Sequence, residues 1–446
     1  MKISSVLVGA VGAMMVSLAG CGVTDPAEEL GEVGEALSRC RGDEGPRLYV
    51  PEPNAGAIEQ IASLRAERRR TDAELIRTMT ETPQGVWLVG GTPESIGKQV
   101  KKVMKKAAAQ RSIPILVAYN LPFRDCAQFS AGGATDTAEY LAWIDAVASA
   151  IGNREAIVLL EPDGLGIIPH YVDLNGNPEW CQPAEADPTT AADDRFTQLN
   201  GALDRLLEQP NVNVYLDGTH NGWLGVGDAA RRLVRAGVQR ARGFFLNVSN
   251  FEASERLEKY GTWISSCIAF ANNDSEGGWR LGHYDWCASQ YYPANPNDFS
   301  TWGLTDDWYA SSLGSAVPSA HFVVDTSRNG QGPWVPPAGT PAGDVQSWCN
   351  PPDRGLGYRS ELCPSADDAD DAPLSCQRTP LLDANLWVKV PGESDGQCHR
   401  WEPPGSVDPV RGIMNPPAGT WFGDLALELV HNANPPLPRS RHKPRW

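Results

Sequence analysis

Eight short apolar runs, separated by charge-rich helical stretches, constrain this chain more than any other feature. They are "RLYV" (47–50), "GVWLVGG" (85–91), "PILVAYNLP" (114–122), "AIVLLEPDG" (156–164), "NVNVYLDGT" (211–219), "GFFLNVSN" (243–250), "HFVVDTSRN" (321–329) and "LWVKVPGES" (386–394). Several are apolar at successive positions instead of alternating, the pattern of strands buried on both faces of a parallel sheet. Between them, residues 94–110, 135–152 and 194–209 read as helices. Such alternation predicts βα units around one sheet. At 446 residues the chain suits one barrel or two domains, and it shows neither a low-complexity linker nor an internal repeat.

The runs end in polar groups. Successive ends carry Asn120 with Arg124 and Asp125, Glu161 with Asp163, Asp217 with His220, Asn247 with Asn250, Asp325 with Arg328, and Glu393 with Asp395. In a β/α barrel the C-terminal strand ends gather on one face, where the site is built. Asp and Asn after a strand also cap helices, which would cover some of these positions but not Arg328 or His220. The expected fold is therefore α/β: a distorted, TIM-like barrel, largely parallel, with long loops over its mouth. An open doubly wound sheet is the alternative. No Gly-rich phosphate turn follows an early strand, which argues against a nucleotide fold.

The first residues read as an export signal, with Lys2 ahead of a mostly apolar run from Ile3 to Ala19. Leu18-Ala19-Gly20-Cys21 is similar to a bacterial lipobox, which would make 1–21 a lipoprotein signal, Cys21 the lipidated residue and 22–46 an acidic tether. An ordinary signal peptide cut nearby is the alternative. Any membrane contact is expected through that anchor alone. Without Cys21, nine of the ten cysteines remain, none spaced as CxxC, so disulfides are the better account and Cys40 is the candidate left unpaired. The net charge of -17 argues against nucleic acid as partner. It is compatible with a neutral polymer, and equally with simple solubility.

No HExxH, no Cys/His cluster and no GxSxG elbow is present, so neither metal nor cofactor is expected and a serine nucleophile has no support. What remains is a mouth rich in carboxylates in a chain with 15 Trp. That combination suits glycosidic hydrolysis, in which one carboxyl protonates the leaving oxygen and indole faces stack on sugar rings.

The blocks "YNLPFRDCAQFSAGG" (119–133), "LLEPDGLG" (159–166), "YLDGTHNGWLG" (215–225), "VDTSRNGQGP" (324–333), "WCNPPDRGLG" (348–357) and "LWVKVPGESDGQC" (386–398) resemble, in order, the signature blocks of family-6 glycoside hydrolases. The resemblance implies that 47–446 is a catalytic domain and that the chain is an inverting β-1,4-glucanase acting on cellulose and cello-oligosaccharides; a monomer is expected. It implies Asp163 as general acid, Asp125 as the carboxylate that keeps the acid protonated, and Asp395 as base or as one end of a water relay. Tyr119 would press on the distorted sugar, and Ser130 would hold the attacking water. Trp87, Trp223 and Trp348 would be sugar platforms. Asp217, His220, Asn250, Arg328, Lys389 and Glu393 would be substrate contacts, with Arg124 and Arg328 orienting carboxylates. The family pairs Cys126 with Cys181 and Cys349 with Cys398; proximity then leaves Cys267 with Cys287 and Cys363 with Cys376. Insertion-like stretches at 169–180 and 359–379, and "GGWRLGHYDWCASQYYP" (277–293), resemble the bacterial exocellulase branch, which implies cellobiose release from non-reducing ends. An endoglucanase, or a surface lipoprotein that binds glucan without cutting it, are the other readings.

Overall fold

In a computed structural model of the chain, the described residues are 47–364 and 373–438. The signal 1–21 with Cys21, and the tether 22–46 with Cys40, lie outside them.

The strands are β1 (Arg47–Leu48), β2 (Val86–Val89), β3 (Ser112–Ile113), β4 (Ile115–Tyr119), β5 (Ala156–Leu160), β6 (Val212–Asp217), β7 (Gly243–Leu246), β8 (His321–Asp325), β9 (Glu361–Leu362) and β10 (Leu382–Leu386). One eight-stranded sheet runs β2-β4-β5-β6-β7-β8-β10-β9, parallel throughout except at β9. β4 and β5 bury every residue, and alternate positions face opposite ways. Leu116, Ala118, Val158, Leu160, Leu216 and Phe244 pack outward against helices, including Pro93–Gln110, Thr137–Ile151, Ala191–Leu207 and Ser254–Ala271. Val117, Ile157, Leu159, Tyr215, Phe245 and Val323 fill the inside of the curl. Continuous apolarity was thus the mark of strands covered on both faces.

The sheet curls into a distorted barrel because its ends meet without forming a ladder. The free edge of β10 is taken at Ala384 and Asn385 by antiparallel β9. β2 can therefore approach only beyond it, where the Gly85 amide donates to the Trp387 carbonyl at 2.8 Å and the Trp87 indole to Val388 at 2.9 Å. A side chain at Gly85 would lie 2.5 Å from the Val388 carbonyl, so glycine is what permits the approach.

Two expected strands are corrected. "RLYV" pairs with β3 in a separate two-stranded sheet. "LWVKV" is mostly loop, and the strand is the preceding Leu382–Leu386, whose Asp383 and Asn385 disguise it. The strand-end Asp and Asn do not serve as the helix caps. Thr92 and Asp136, for example, cap helices Pro93–Gln110 and Thr137–Ile151. The expected disulfides Cys126–Cys181, Cys267–Cys287, Cys349–Cys398 and Cys363–Cys376 are all formed.

Candidate active site

A cleft of about 840 Å³ opens at the C-terminal ends of the strands. Asp163 reaches it from the turn after β5. Both Glu161 and Asp163 hold left-handed backbone, at φ 60° and 64°, a conformation that non-glycine residues keep only where surroundings force it. The forcing is visible. The amides of Leu165 and Gly166 each donate to Asp217 Oδ2 at 3.2 Å, and the Glu161 carboxylate accepts the amides of Asn120 and Leu121 at 2.8–3.1 Å. Amide donors of both mouth turns are thus satisfied by buried carboxylates.

This arrangement fixes the protonation of Asp163. Burial pushes its carboxyl well above the ordinary range, and the charges of Asp217 and then Asp125 push it further. A hydrogen bond from Tyr119 opposes this only in part. Asp217 itself is raised to about 6 by burial, against three main-chain amides that hold it down. Asp125 is also raised to about 6, again by burial, against the Ser130 amide and Arg124. Above about pH 6, where Asp125 and Asp217 carry charge, these influences favour the protonated form of Asp163.

Asp125 follows β4 in a turn closed on itself, with the Ser130 amide donating to Asp125 Oδ2 at 2.6 Å. Cys126–Cys181 ties that turn to the loop bearing Trp180. Arg124 does not orient a carboxylate. It donates to the carbonyls of Tyr119, Ser130 and Ala131 and lies 4.8 Å from the centre of the Tyr119 ring.

Asp395 is held differently. Burial would raise it, but Arg328 and Lys389 outweigh burial, and the carboxyl lies below its ordinary value. Arg328 Nη1 donates to both of its oxygens at 2.9 and 2.8 Å, the Asn350 amide donates at 2.9 Å, and Lys389 Nζ lies 3.5 Å away. Such a carboxylate is a weak proton acceptor.

The cleft is walled by rings. Trp87 stands edge-on to Tyr119, centres 5.4 Å apart, and is anchored by its own N–H. Trp223 sits over Gly166, where a Cβ would come within 2.5 Å of the indole. His220, 5.9 Å from Trp223, is pushed by burial down to about 4 and is a neutral ring at neutral pH. Trp348 leans on Phe129 at 5.8 Å. Ser130, Asn250, Lys389 and Glu393 also line the cleft, and Glu393 accepts from Asn54 at 2.8 Å.

Two expected substrate contacts, Asp217 and Arg328, do not line the cleft. Each acts from behind the wall, Asp217 on the turn of Asp163 and Arg328 on Asp395 and on the Ser249 carbonyl. Trp180, Trp334 and Phe129 line the cleft without having been singled out. Trp180 adjoins Cys181, and Trp334 follows the "VDTSRNGQGP" block by one residue, so adjacency to a staple or a block was the available signal. Among the described residues no group of His, Cys, Asp or Glu is arranged to hold a metal ion.

A curled parallel sheet with a carboxyl raised by burial and indole walls at its mouth has the parts a glycoside hydrolase needs. Comparison with known proteins narrows the class. The profile of glycosyl hydrolases family 6 matches residues 43–433. Endoglucanase A of Cellulomonas fimi is 30% identical over 364 residues, 81% of this chain and 57% of that protein, so this chain spans under two thirds of that relative's length. A probable 1,4-beta-D-glucan cellobiohydrolase C of Aspergillus fumigatus is 31% identical over 384 residues, 80% of this chain and 70% of that one. Among solved structures, the endoglucanase Cel6 from Mycobacterium tuberculosis, in complex with methyl-cellobiosyl-4-deoxy-4-thio-beta-D-cellobioside, is 30% identical with a TM-score of 0.59, covering 87% of this chain and 97% of that one. The chain belongs to glycosyl hydrolases family 6.

Proposed function

We propose that the protein hydrolyses β-1,4-glucosidic bonds of cellulose with inversion and releases cellobiose from non-reducing chain ends. The observation that carries the reading is the place of Asp163 in a cleft lined by Trp87 and Trp223, where burial and the Asp217 and Asp125 charges push its carboxyl toward the protonated form. Asp163 gives that proton to the glycosidic oxygen as the bond breaks. Water attacks the sugar carbon from the opposite face, which leaves the product inverted. The grip of Arg328 and Lys389 on Asp395 favours a role in polarising a water chain over removing the proton in one direct step. The bound thio-cellobioside of the mycobacterial relative supports a cello-oligosaccharide as substrate.

The test is Asp163→Asn. Turnover of unactivated glucan should fall by about 10²–10⁴-fold, the usual worth of a positioned acid. Turnover of an aryl cello-oligosaccharide with a dinitrophenolate leaving group, which needs no proton, should survive. Equal activity of variant and parent on cellulose would remove the reading.

Release from chain ends is supported by two disulfide-tied loops flanking the cleft, Cys126–Cys181 and Cys349–Cys398. Internal cleavage is the second reading, favoured by the endoglucanase relatives. Viscosity of a soluble cellulose derivative, followed beside sugar release, separates them, since internal cuts collapse viscosity first. We also propose export, consistent with the four disulfides, with attachment through Cys21. A Cys21→Ala protein should then leave the membrane fraction.

A further inference from the structure

Four buried groups grip the two turns that carry Asp125 and Asp163, and one of them spans both. Arg195 projects from the helix Ala191–Leu207 and is 3% exposed. Its Nη1 donates to the carbonyls of Gly164 at 2.7 Å and Ile167 at 2.9 Å, and its Nη2 to the Pro122 carbonyl at 2.9 Å. Gly164 and Ile167 belong to the turn of Asp163, whereas Pro122 opens the turn of Asp125. Arg232, from the helix Val226–Arg235, takes the two carbonyls in between, Leu165 at 2.9 Å and Gly166 at 3.4 Å. The amide sides of the same turns are held by Asp217 and Glu161. Each turn is therefore fixed from both polar sides of its main chain.

Arg195 is an expensive residue for plain packing. Its charge is met by three carbonyls instead of a bonded carboxylate, and its Nε has no hydrogen-bond partner. Burial accordingly drags its pKa down to about 10, against the nearby charge of Glu161. Buried guanidinium groups are usually paired, and apolar replacements often serve stability as well. What a planar fork offers beyond stability is fixed geometry between the groups it joins. Here it joins a proton donor to the carboxylate that shares responsibility for the proton.

We propose that Arg195 is a positioning residue for the reaction: through the main chain of both turns it sets the placement of Asp163 relative to Asp125 and to the leaving oxygen. The proposal rests on the acid role given to Asp163. Without the fork, the carbonyls of Pro122, Gly164 and Ile167 lose their donor, and the left-handed residues Asp125 and Asp163 are held less tightly, by Arg232, Asp217 and Glu161 alone. A displacement on the order of 1 Å is enough to lower a proton-transfer rate about 10²-fold.

The experiment compares Arg195→Lys, which keeps the charge and loses the fork, and Arg195→Met, which loses both, with Asp163→Asn. Each is assayed on cellotetraose and on 2,4-dinitrophenyl β-cellotrioside, with folding followed by thermal melting. Arg195→Lys should lose about tenfold or more in kcat on cellotetraose and far less on the aryl substrate, following the selectivity of Asp163→Asn. An equal loss on both substrates, as fewer folded molecules would produce, overturns the proposal, and so does no loss on either. If Arg195→Met fails to fold, the Lys variant decides; failure of both marks a purely structural residue and also overturns it. Selectivity in Asp163→Asn without selectivity in the Arg195 variants removes this proposal alone. Indifference of Asp163→Asn to the leaving group removes the acid assignment, and this proposal with it.

Discussion

Replacing Asp217 with Asn tests what keeps the proton on Asp163. After burial, the Asp217 charge is the largest influence raising the Asp163 carboxyl, ahead of Asp125. A like charge nearby holds a carboxyl protonated to higher pH, so removing the Asp217 charge lowers Asp163, and because Asp125 remains the lowering is partial. The direction follows from the role. A general acid works while protonated, so activity on glucan falls as pH rises through its pKa, and a lower pKa brings that fall to lower pH. Asp217 itself ionises near 6. Parent and variant should therefore coincide below about pH 6, where residue 217 is neutral in both, and diverge above it. Asn cannot accept all three amide bonds that Asp217 takes from Leu165, Gly166 and Thr219, and about 1–3 kcal/mol of stability should be lost. Kinetics are therefore read well below the variant's melting temperature. The assay is kcat against pH on cellotetraose beside a dinitrophenyl substrate. On the first the alkaline limb should move to lower pH, and on the second it should stay. An unmoved limb on cellotetraose, with both proteins folded, refutes the view that Asp217 holds the proton in place.

Stability should fall as pH rises from 5 to 8. Burial raises Asp125 and Asp217 to about 6 and Glu161 and Glu258 to about 7, against about 4 in an unfolded chain. Each binds its proton more tightly when folded, so its contribution is complete below about pH 4 and lost as pH climbs through the raised value. His220, lowered to about 4, works in the opposite sense, but four groups outnumber one, and Tm at pH 8 should lie below Tm at pH 5. Gly166→Ala should raise KM for cello-oligosaccharides, since its Cβ would sit 2.5 Å from the Trp223 indole and displace it; an unchanged KM with an unmoved indole would contradict this. Cys126→Ser with Cys181→Ser opens a bond with a sequence separation of 55 residues. By chain entropy that costs about 4 kcal/mol, and because the bond pins the turn of Asp125, kcat on glucan should drop along with Tm.

That Asp163, Asp125 and Asp395, the proposed acid, its partner and base, would meet at one cleft was legible because each lies inside a signature block at the end of an apolar run. Asp163 and Asp125 come directly after β5 and β4, strands so apolar that their ends are unmistakable. β10 was not legible. Its Asp383 serves the opposite end of the barrel, accepting from Tyr215 and Arg242 at 2.7 Å, so the strand reads as polar loop. Asp217 and Arg328 read as substrate contacts because the family resemblance implied it; the other expectation for Arg328, that it orients a carboxylate, is the one its bonds to Asp395 meet. Both residues face backward, since turns in left-handed conformations leave amides and carbonyls that need buried partners. Sequence lists the polar residues of a mouth but does not say which stand in front. Trp180 and Trp334 escaped for another reason: they lie outside the signature blocks, which supplied Trp223 and Trp348 from equally irregular segments.

The left-handed backbone at Asp125, Glu161 and Asp163, φ 58°, 60° and 64°, sets two selective pressures against each other. Glycine takes such angles freely, while any other residue there gives up about 1–2 kcal/mol. A laboratory lineage rewarded only for surviving heat should drift toward glycine at Asp163 alone, since Glu161 and Asp125 hold main-chain amides that glycine would leave unmet, and one rewarded for turnover should refuse it there. Which residue such a lineage keeps would tell whether endurance or appetite had shaped it.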